Sequence, residues 1–245
     1  MKRIFLFVPL VLGITFGYAQ EKKQWPPELT EVWEPKPPQI TPGEENAPPS
    51  DAIVLFDGSN LDEWTAPNGR PAKWEVEGDA VTVVPGRRSI QTKRSFGDCQ
   101  LHIEFRTPQE VQGEGQDSGN SGIFLQGRYE VQVLNNYDNE TYVNGMVSSI
   151  YKQHIPLVNA SRPRGEWQTY DIIYTAPRFN EDGMLIKPAY ITVLYNGVLT
   201  LNHVEIKGST EYIGLPKYMP HGEGPLQLQD HGNRVSYRNI WIREL

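Results

Sequence analysis

Two ionisable side chains carry the chemistry that this sequence offers most directly, Glu130 and His231. Glu130 lies in Arg128-Tyr129-Glu130-Val131-Gln132-Val133, whose alternation puts Arg128, Glu130 and Gln132 on one strand face. A carboxyl on a partly enclosed sheet face is raised in pKa by desolvation and lowered by a neighbouring guanidinium, here Arg128. That tuning suits a general base or acid; the same spacing fits a structural Glu–Arg pair equally well. His231 follows Gln227-Leu228-Gln229-Asp230 and precedes Gly232, where a strand gives way to a turn. Rim positions of this kind carry acid–base side chains. Capping of the turn, with Asp230 paired to Arg238, fits the same residues.

Other motifs are weaker. Gly119-Asn120-Ser121-Gly122 is similar to the nucleophile loop of chymotrypsin-like proteases, with Asn where those enzymes have Asp. A triad needs a histidine oriented by an acid, and His102, mid-strand, is the one histidine upstream. The favoured reading is a tight turn that places amide donors near a pocket. Gly113-x-Gly115-x-x-Ser118 lacks the third glycine and the following helix of a dinucleotide fingerprint. The stretch Pro108–Gly119 reads instead as a mobile, acidic, solvated loop whose Glu110, Glu114 and Asp117 match no calcium-loop spacing. The 5 histidines form no HxH or HxxxH pair, and the single cysteine, Cys99, rules out a disulfide framework or a CxxC site. His102 and Glu104 share a strand face, as a polar pair rather than as metal ligands.

These residues must be positioned by strands. Gln100–Thr107 alternates Leu101, Ile103 and Phe105 against His102, Glu104 and Arg106. Arg128–Leu134 repeats the pattern, and Lys73–Glu77, Ala80–Val84, Glu166–Thr175, Ala189–Tyr195, Val198–Glu205, Pro225–Gln229 and Val235–Ile242 continue it. Gly78-Asp79 and Asn196-Gly197 are hairpin turns. A helical period of 3.6 is missing from any window longer than about ten residues. Many short strands separated by turn residues predict an all-β sandwich or jelly roll. The polar strand faces carry Glu104, Arg106, Arg128, Glu130, Gln132, Gln227 and Gln229, so neighbouring strands would present one hydrogen-bonding surface suited to sugars.

Composition narrows the function. With 30 acidic against 23 basic residues, a net charge of −7 disfavours nucleic acid as a partner. Lys2 and Arg3, the apolar run Ile4–Phe16 and Gly17-Tyr18-Ala19 predict a signal peptide over residues 1–19. The expected product is exported, periplasmic or extracellular, and soluble, with no transmembrane segment. Residues 20–51 hold 8 of the 20 prolines and read as an extended arm, with Trp25 and Trp33 able to pin it to the body. One domain is expected over residues 52–245.

Taken in order, several segments resemble one family. They are Leu55-Phe56-Asp57-Gly58 with Leu61 and Trp64; Gly119-Asn120-Ser121-Gly122-Ile123; Arg128-Tyr129-Glu130-Val131-Gln132; Gly165-Glu166-Trp167-Gln168-Thr169-Tyr170-Asp171; Asn196-Gly197-Val198; Leu228-Gln229-Asp230-His231-Gly232; and Tyr237-Arg238-Asn239-Ile240. The set resembles the DUF1080 family, the 3-keto-disaccharide hydrolases, over about residues 52–245. The resemblance implies a concanavalin A-like jelly-roll β-sandwich of two antiparallel sheets, acting on 3-keto-glycosides. Tyr151-Lys152-Gln153 departs from the family's frequent Tyr-Gly-Gln, and Tyr237 replaces its usual Phe.

The implied reaction removes the C2 proton next to a C3 ketone, expels the C1 substituent and adds water to the enone. It needs a base, donors for the enolate and an acid for the leaving oxygen. Glu130 and His231 would share the acid and base roles, in an order the sequence leaves open. Asn120, Ser121, Arg128, Gln132, Tyr151, Lys152, Gln229, Asp230 and Arg238 would bind the substrate. A divalent metal could assist by chelating the ketone and a hydroxyl, although the sequence contains no dedicated ligand set. The alternatives are a lectin-like module of the same fold without catalysis and an ordinary retaining or inverting glycosidase. The expected partner is a small oligosaccharide or glycoside; oligomeric state stays open.

Overall fold

The computed structural model describes residues 25–110 and 113–245; the signal-peptide expectation lies outside them. Residues 25–39 hold one 3-10 turn, Pro27–Thr30, and a bond from Trp33 Nε1 to Glu31 Oε2. Ile40–Leu245 is a separate compact unit.

That unit is built from short strands in chain order: β1 (Ile53–Phe56), β2 (Trp64–Thr65), β3 (Glu75–Glu77), β4 (Ala80–Thr82), β5 (Ile90–Thr92), β6 (Cys99–Arg106), β7 (Ser121–Leu125), β8 (Tyr129–Val133), β9 (Gln168–Thr175), β10 (Arg178–Phe179), β11 (Leu185–Lys187), β12 (Tyr190–Tyr195), β13 (Val198–Glu205), β14 (Gln227–Leu228) and β15 (Ser236–Glu244). Eight form one antiparallel sheet in the order β13-β12-β9-β6-β15-β4-β3, with β1 pairing β15. Five form the second, β2-β5-β14-β7-β8, and β10-β11 is a separate two-stranded ribbon. Non-consecutive neighbours such as β6, β15 and β4 are the crossovers of a jelly roll. The protein is thus an all-β jelly-roll sandwich of antiparallel sheets, and the described residues contain no α-helix.

Alternation explains the layers. Leu101, Ile103 and Phe105 on β6, Ile172 on β9, and Ile123, Val131 and Val133 on β7 and β8 are all fully buried in one core. Tyrosines stitch the two inner faces together. Tyr170 Oη donates to Gln132 O at 2.7 Å, Tyr174 Oη to Gln126 Oε1 at 2.7 Å, and Tyr237 Oη to Ser121 Oγ at 2.6 Å. Asn196 and Gly197 both take positive φ in the β12–β13 hairpin, the geometry for which Asn-Gly is favoured.

The polar strand faces do not merge into one surface. Glu104 and Arg106 lie on β6 of the eight-stranded sheet, whereas Glu130, Gln132 and Gln227 belong to the five-stranded sheet. Since the inner faces meet in the core, these residues project from opposite outer faces. Period alone identifies which face of a strand is polar and is silent on which sheet the strand joins. Residues 40–51 lie against the eight-stranded sheet: Asn46 O accepts from Asn239 Nδ2 and Trp241 Nε1, each at 3.0 Å.

Candidate active site

Two rows of residues cross the outer face of the five-stranded sheet. In the first, Thr65 pairs with Gln91, Gln91 with Gln227, Gln227 with Phe124, and Phe124 with Glu130. Beyond β8 the chain adds a rung: Val131 bridges Ile150, and Tyr151 N donates to Glu130 O at 3.2 Å. Opposed residues of antiparallel strands share a face. Glu130 therefore stands between Phe124 and Tyr151.

Glu130 is only 5% exposed, and its carboxyl has no hydrogen-bond or ion-pair partner among the described residues. Burial pushes its pKa up to about 8, with no compensating neighbour. The space beside it comes from Gly122: a Cβ there would lie 2.4 Å from Glu130 Oε1 and 2.9 Å from Phe124 Cε2. Only glycine leaves room on this floor for the carboxyl and the ring.

Glu104 on the opposite face shows what a structural acid looks like in this fold. Burial would raise it, but His102, Asn239 and Arg238 hydrogen-bond its carboxylate and hold it down at about 2. Arg238 Nε donates to Glu104 Oε2 at 2.7 Å and Nη1 to Asp79 Oδ2 at 2.9 Å. His102 Nδ1 donates to Asp171 Oδ1 at 2.7 Å and its ring stacks on Trp241. Every acceptor of Glu104 is matched; Glu130 has none.

Aromatic rings border the Glu130 side. The Tyr142 and Tyr151 hydroxyls are hydrogen-bonded to each other. Burial, then the Tyr142 bond and the nearby Glu130 charge, raise the Tyr151 phenol above its ordinary value, so it stays protonated. Lys152 Nζ donates to Tyr212 O at 2.7 Å, lies 4.3 Å from the Tyr212 ring centre, and is 5.7 Å from the Tyr142 and Tyr151 rings. Gln116 latches two loops beside the face. Its Nε2 donates to Thr141 Oγ1 and Gly145 O, and its Oε1 accepts from Gln132 Nε2 at 3.0 Å.

The residues expected at the site separate by position. Glu130, Gln132, Tyr151, Lys152 and Gln229 come together at this face. Ser121 is a correction: alternation turns it inward, where its hydroxyl donates to Gln229 O and accepts from Tyr237 Oη, with no exposure. Arg238 is another, since it sits on the opposite sheet and pairs with Glu104 and Asp79 rather than Asp230. Arg128 is exposed in the turn before β8, outside the strand, and burial is the whole cause of the Glu130 shift. Asn120 Nδ2 donates to Gln116 O at 2.6 Å, so its amide supports a loop. Asp230 accepts from Arg88 N and Gly232 N, shaping a turn. His231 is exposed in that turn, and no hydrogen bond or ion pair among the described residues links its ring to Glu130.

The 113–119 stretch is also more ordered than a solvated loop. Asn139 bonds Gly115 through both its Oδ1 and Nδ2, and Asn233 Oδ1 accepts from Gly119 N. Gln116, Tyr142, Ser149 and Tyr212 were not anticipated at the site. They lie in loops without a period, and only folding brings them near β8. No group of three or more His, Cys, Asp or Glu among the described residues could hold a metal ion. The side chains present do not fit a resident metal, and no step is assigned to one.

A model of the 3-keto-alpha-glucoside-1,2-lyase-like domain matches residues 51–243. The chain is similar to a candidate glycosyl hydrolase of Parabacteroides distasonis ATCC 8503, with 52% identity, a TM-score of 0.87, and coverage of 94% of this chain and 99% of that one. A second candidate glycosyl hydrolase from the same organism is 22% identical with a TM-score of 0.60, covering 80% of this chain and 94% of its own, and shares the fold. No curated protein matches the chain.

Proposed function

The chain belongs to the 3-keto-alpha-glucoside-1,2-lyase-like family, and from that premise we propose that it cleaves 3-keto-glycosides with Glu130 as the base. The observation that carries this reading is the unpartnered Glu130 carboxyl, held at a pKa of about 8 in the room that Gly122 leaves for it. A base tuned near the working pH combines a useful ionised fraction with driving force for proton transfer.

The ketone at C3 acidifies the C2 hydrogen. Glu130 takes that proton, and the C2–H electron pair moves into an enolate with negative charge on the C3 oxygen. Collapse of the enolate restores the ketone, forms a C1–C2 double bond and breaks the bond from C1 to the glycosidic oxygen. The leaving oxygen takes a proton. Tyr151, protonated and next to Glu130 across the bridge, is the donor nearest the base in register; His231, exposed at the turn, serves from the rim. Water then adds its oxygen to C1 and a proton returns to C2, so the net change is hydrolysis. The exposed Tyr142 and Tyr212 offer rings against which a sugar stacks. An ordinary glycosidase would need two carboxyls flanking one bond, and Glu130 has no carboxyl partner on its face among the residues described. The protein acts after export, its leader being residues 1–19.

The test is incubation with a 3-keto-disaccharide beside its unoxidised parent, for wild type, Glu130→Gln and His231→Ala. Turnover of the keto sugar alone, lost in Glu130→Gln, is the expected result. Turnover of neither sugar by wild type removes the enzymatic reading. Full activity in Glu130→Gln moves the base elsewhere.

A further inference from the structure

Among the described residues, three buried side-chain polar atoms lack a hydrogen-bond partner: Gln132 Oε1, Ser149 Oγ and Gln229 Oε1. They fall on one line across the sheet. Gln229 N donates to Gly122 O at 2.9 Å, Gly122 pairs with Gln132, and Gln132 N donates to Ser149 O at 3.0 Å. This is the second row, one pair along from the row that carries Phe124, Glu130 and Tyr151. Buried acceptors without donors are unfavourable and uncommon in native proteins. Three in one row, flanking a glycine and a carboxyl that is itself unpartnered, are not a random scatter of packing faults.

The chemistry of the row is specific. Gln132 Nε2 is committed to Gln116 Oε1 and Gly145 O, so its Oε1 is left as a pure acceptor. Ser149 stands opposite Gln132 and can accept or donate. Gly122, between Gln229 and Gln132, contributes no side chain. A group laid along this row therefore meets unpartnered acceptors at Gln229, Gln132 and Ser149.

We propose that Gln229, Gln132 and Ser149 form a hydroxyl-reading subsite, which accepts free hydroxyls of a neutral sugar ring seated against this row and discriminates against uronate or phosphorylated sugars. The assignment rests on the glycoside reading of the same face, but not on cleavage. Ser149 and Gln229 are specificity-determining residues: a ring hydroxyl supplies the donor that the protein withholds from them. An anionic group in the same place would face the unpartnered amide oxygens of Gln132 and Gln229.

Ser149→Ala and Gln229→Met remove no side-chain hydrogen bond among the described residues, so binding and folding separate cleanly. Calorimetric titration uses the full chain in a Glu130→Gln background, with a neutral 3-keto-disaccharide, its unoxidised parent and a uronic acid disaccharide as probes. The expected result is binding of both neutral sugars, at least about tenfold weaker binding of the uronate, and a loss of about tenfold in neutral-sugar affinity on adding Ser149→Ala or Gln229→Met, with Tm unchanged or raised. Unchanged affinity in both variants overturns the subsite, as does equal binding of the uronate or no binding of any probe. Wild-type turnover is assayed separately: row-dependent binding without turnover removes the cleavage reading and leaves the subsite standing.

Discussion

Glu130 and Gly122 are diagonal neighbours on β8 and β7, and the carboxyl of one occupies the space that a side chain on the other would need. A methyl group on Gly122 would approach Glu130 Oε1 to 2.4 Å. Gly122→Ala therefore displaces the carboxyl and closes the floor. The expected outcome is at least a hundredfold loss in kcat/KM, on the order expected for misplacing a reacting group, with a stability cost of about 1–3 kcal/mol from overpacking. Steady-state kinetics and urea denaturation measure the two effects separately.

The pH dependence follows from the raised Glu130 pKa. As the base, it is active when ionised, so kcat/KM for a 3-keto-glycoside rises with pH and levels off above about 8. A rate that falls through the same range would make Glu130 the acid instead. Stability moves the other way. The ordinary value of 4.5 is raised to about 8 in the fold, so the folded state binds more protons between these values. The stabilisation is complete below about 4.5 and is lost as pH rises to about 8. Glu130→Gln abolishes this slope, which thermal melts across pH 4–9 reveal.

On the opposite sheet the sign reverses. Burial opposes ionisation of Glu104, but its bonds to His102, Asn239 and Arg238 hold it at about 2, so it contributes stability above its ordinary 4.5 that is lost as pH falls toward 2. Glu104→Gln removes one of the two carboxylates that pair with Arg238, which keeps Asp79, and costs about 1–3 kcal/mol. Because this cluster lies on the far face, Arg238→Met and Glu104→Gln leave kcat/KM within about twofold wherever the variants are folded. A hundredfold loss in either variant at full folding would return Arg238 to the substrate site.

The tyrosine pair separates binding from chemistry. Tyr151→Phe removes the hydroxyl next to Glu130 and keeps the ring, so kcat falls about 10–100-fold with little change in KM. Tyr142→Ala removes a ring from the rim and acts chiefly on KM. Equal effects of both variants on KM alone would reduce Tyr151 to a stacking surface.

Much of the molecule was legible in the chain. The alternation of Leu101, Ile103 and Phe105 with His102, Glu104 and Arg106 specifies a half-polar strand whatever surrounds it, because side chains on a pleated strand project with a period of two. Asn196-Gly197 marks its hairpin because few other pairs adopt two positive φ angles cheaply. The Glu130 and Gln132 face was visible for the same reason.

What the chain could not reveal is which polar faces share a sheet and which polar atoms find partners. Glu104 and Glu130 occupy equivalent positions in similar alternating strands, and both are buried acids. Sheet order places Arg238, His102 and Asn239 around the first and Phe124, Gly122 and Tyr151 around the second. Ser121 faced inward, by a phase that local pattern alone did not anchor, and Ser149 reached the site from a loop with no period. Strand character is a local property of backbone and side chain, and so can be read along the chain. The charge state of a carboxyl depends on long-range neighbours and lost water, and only the tertiary structure decides those.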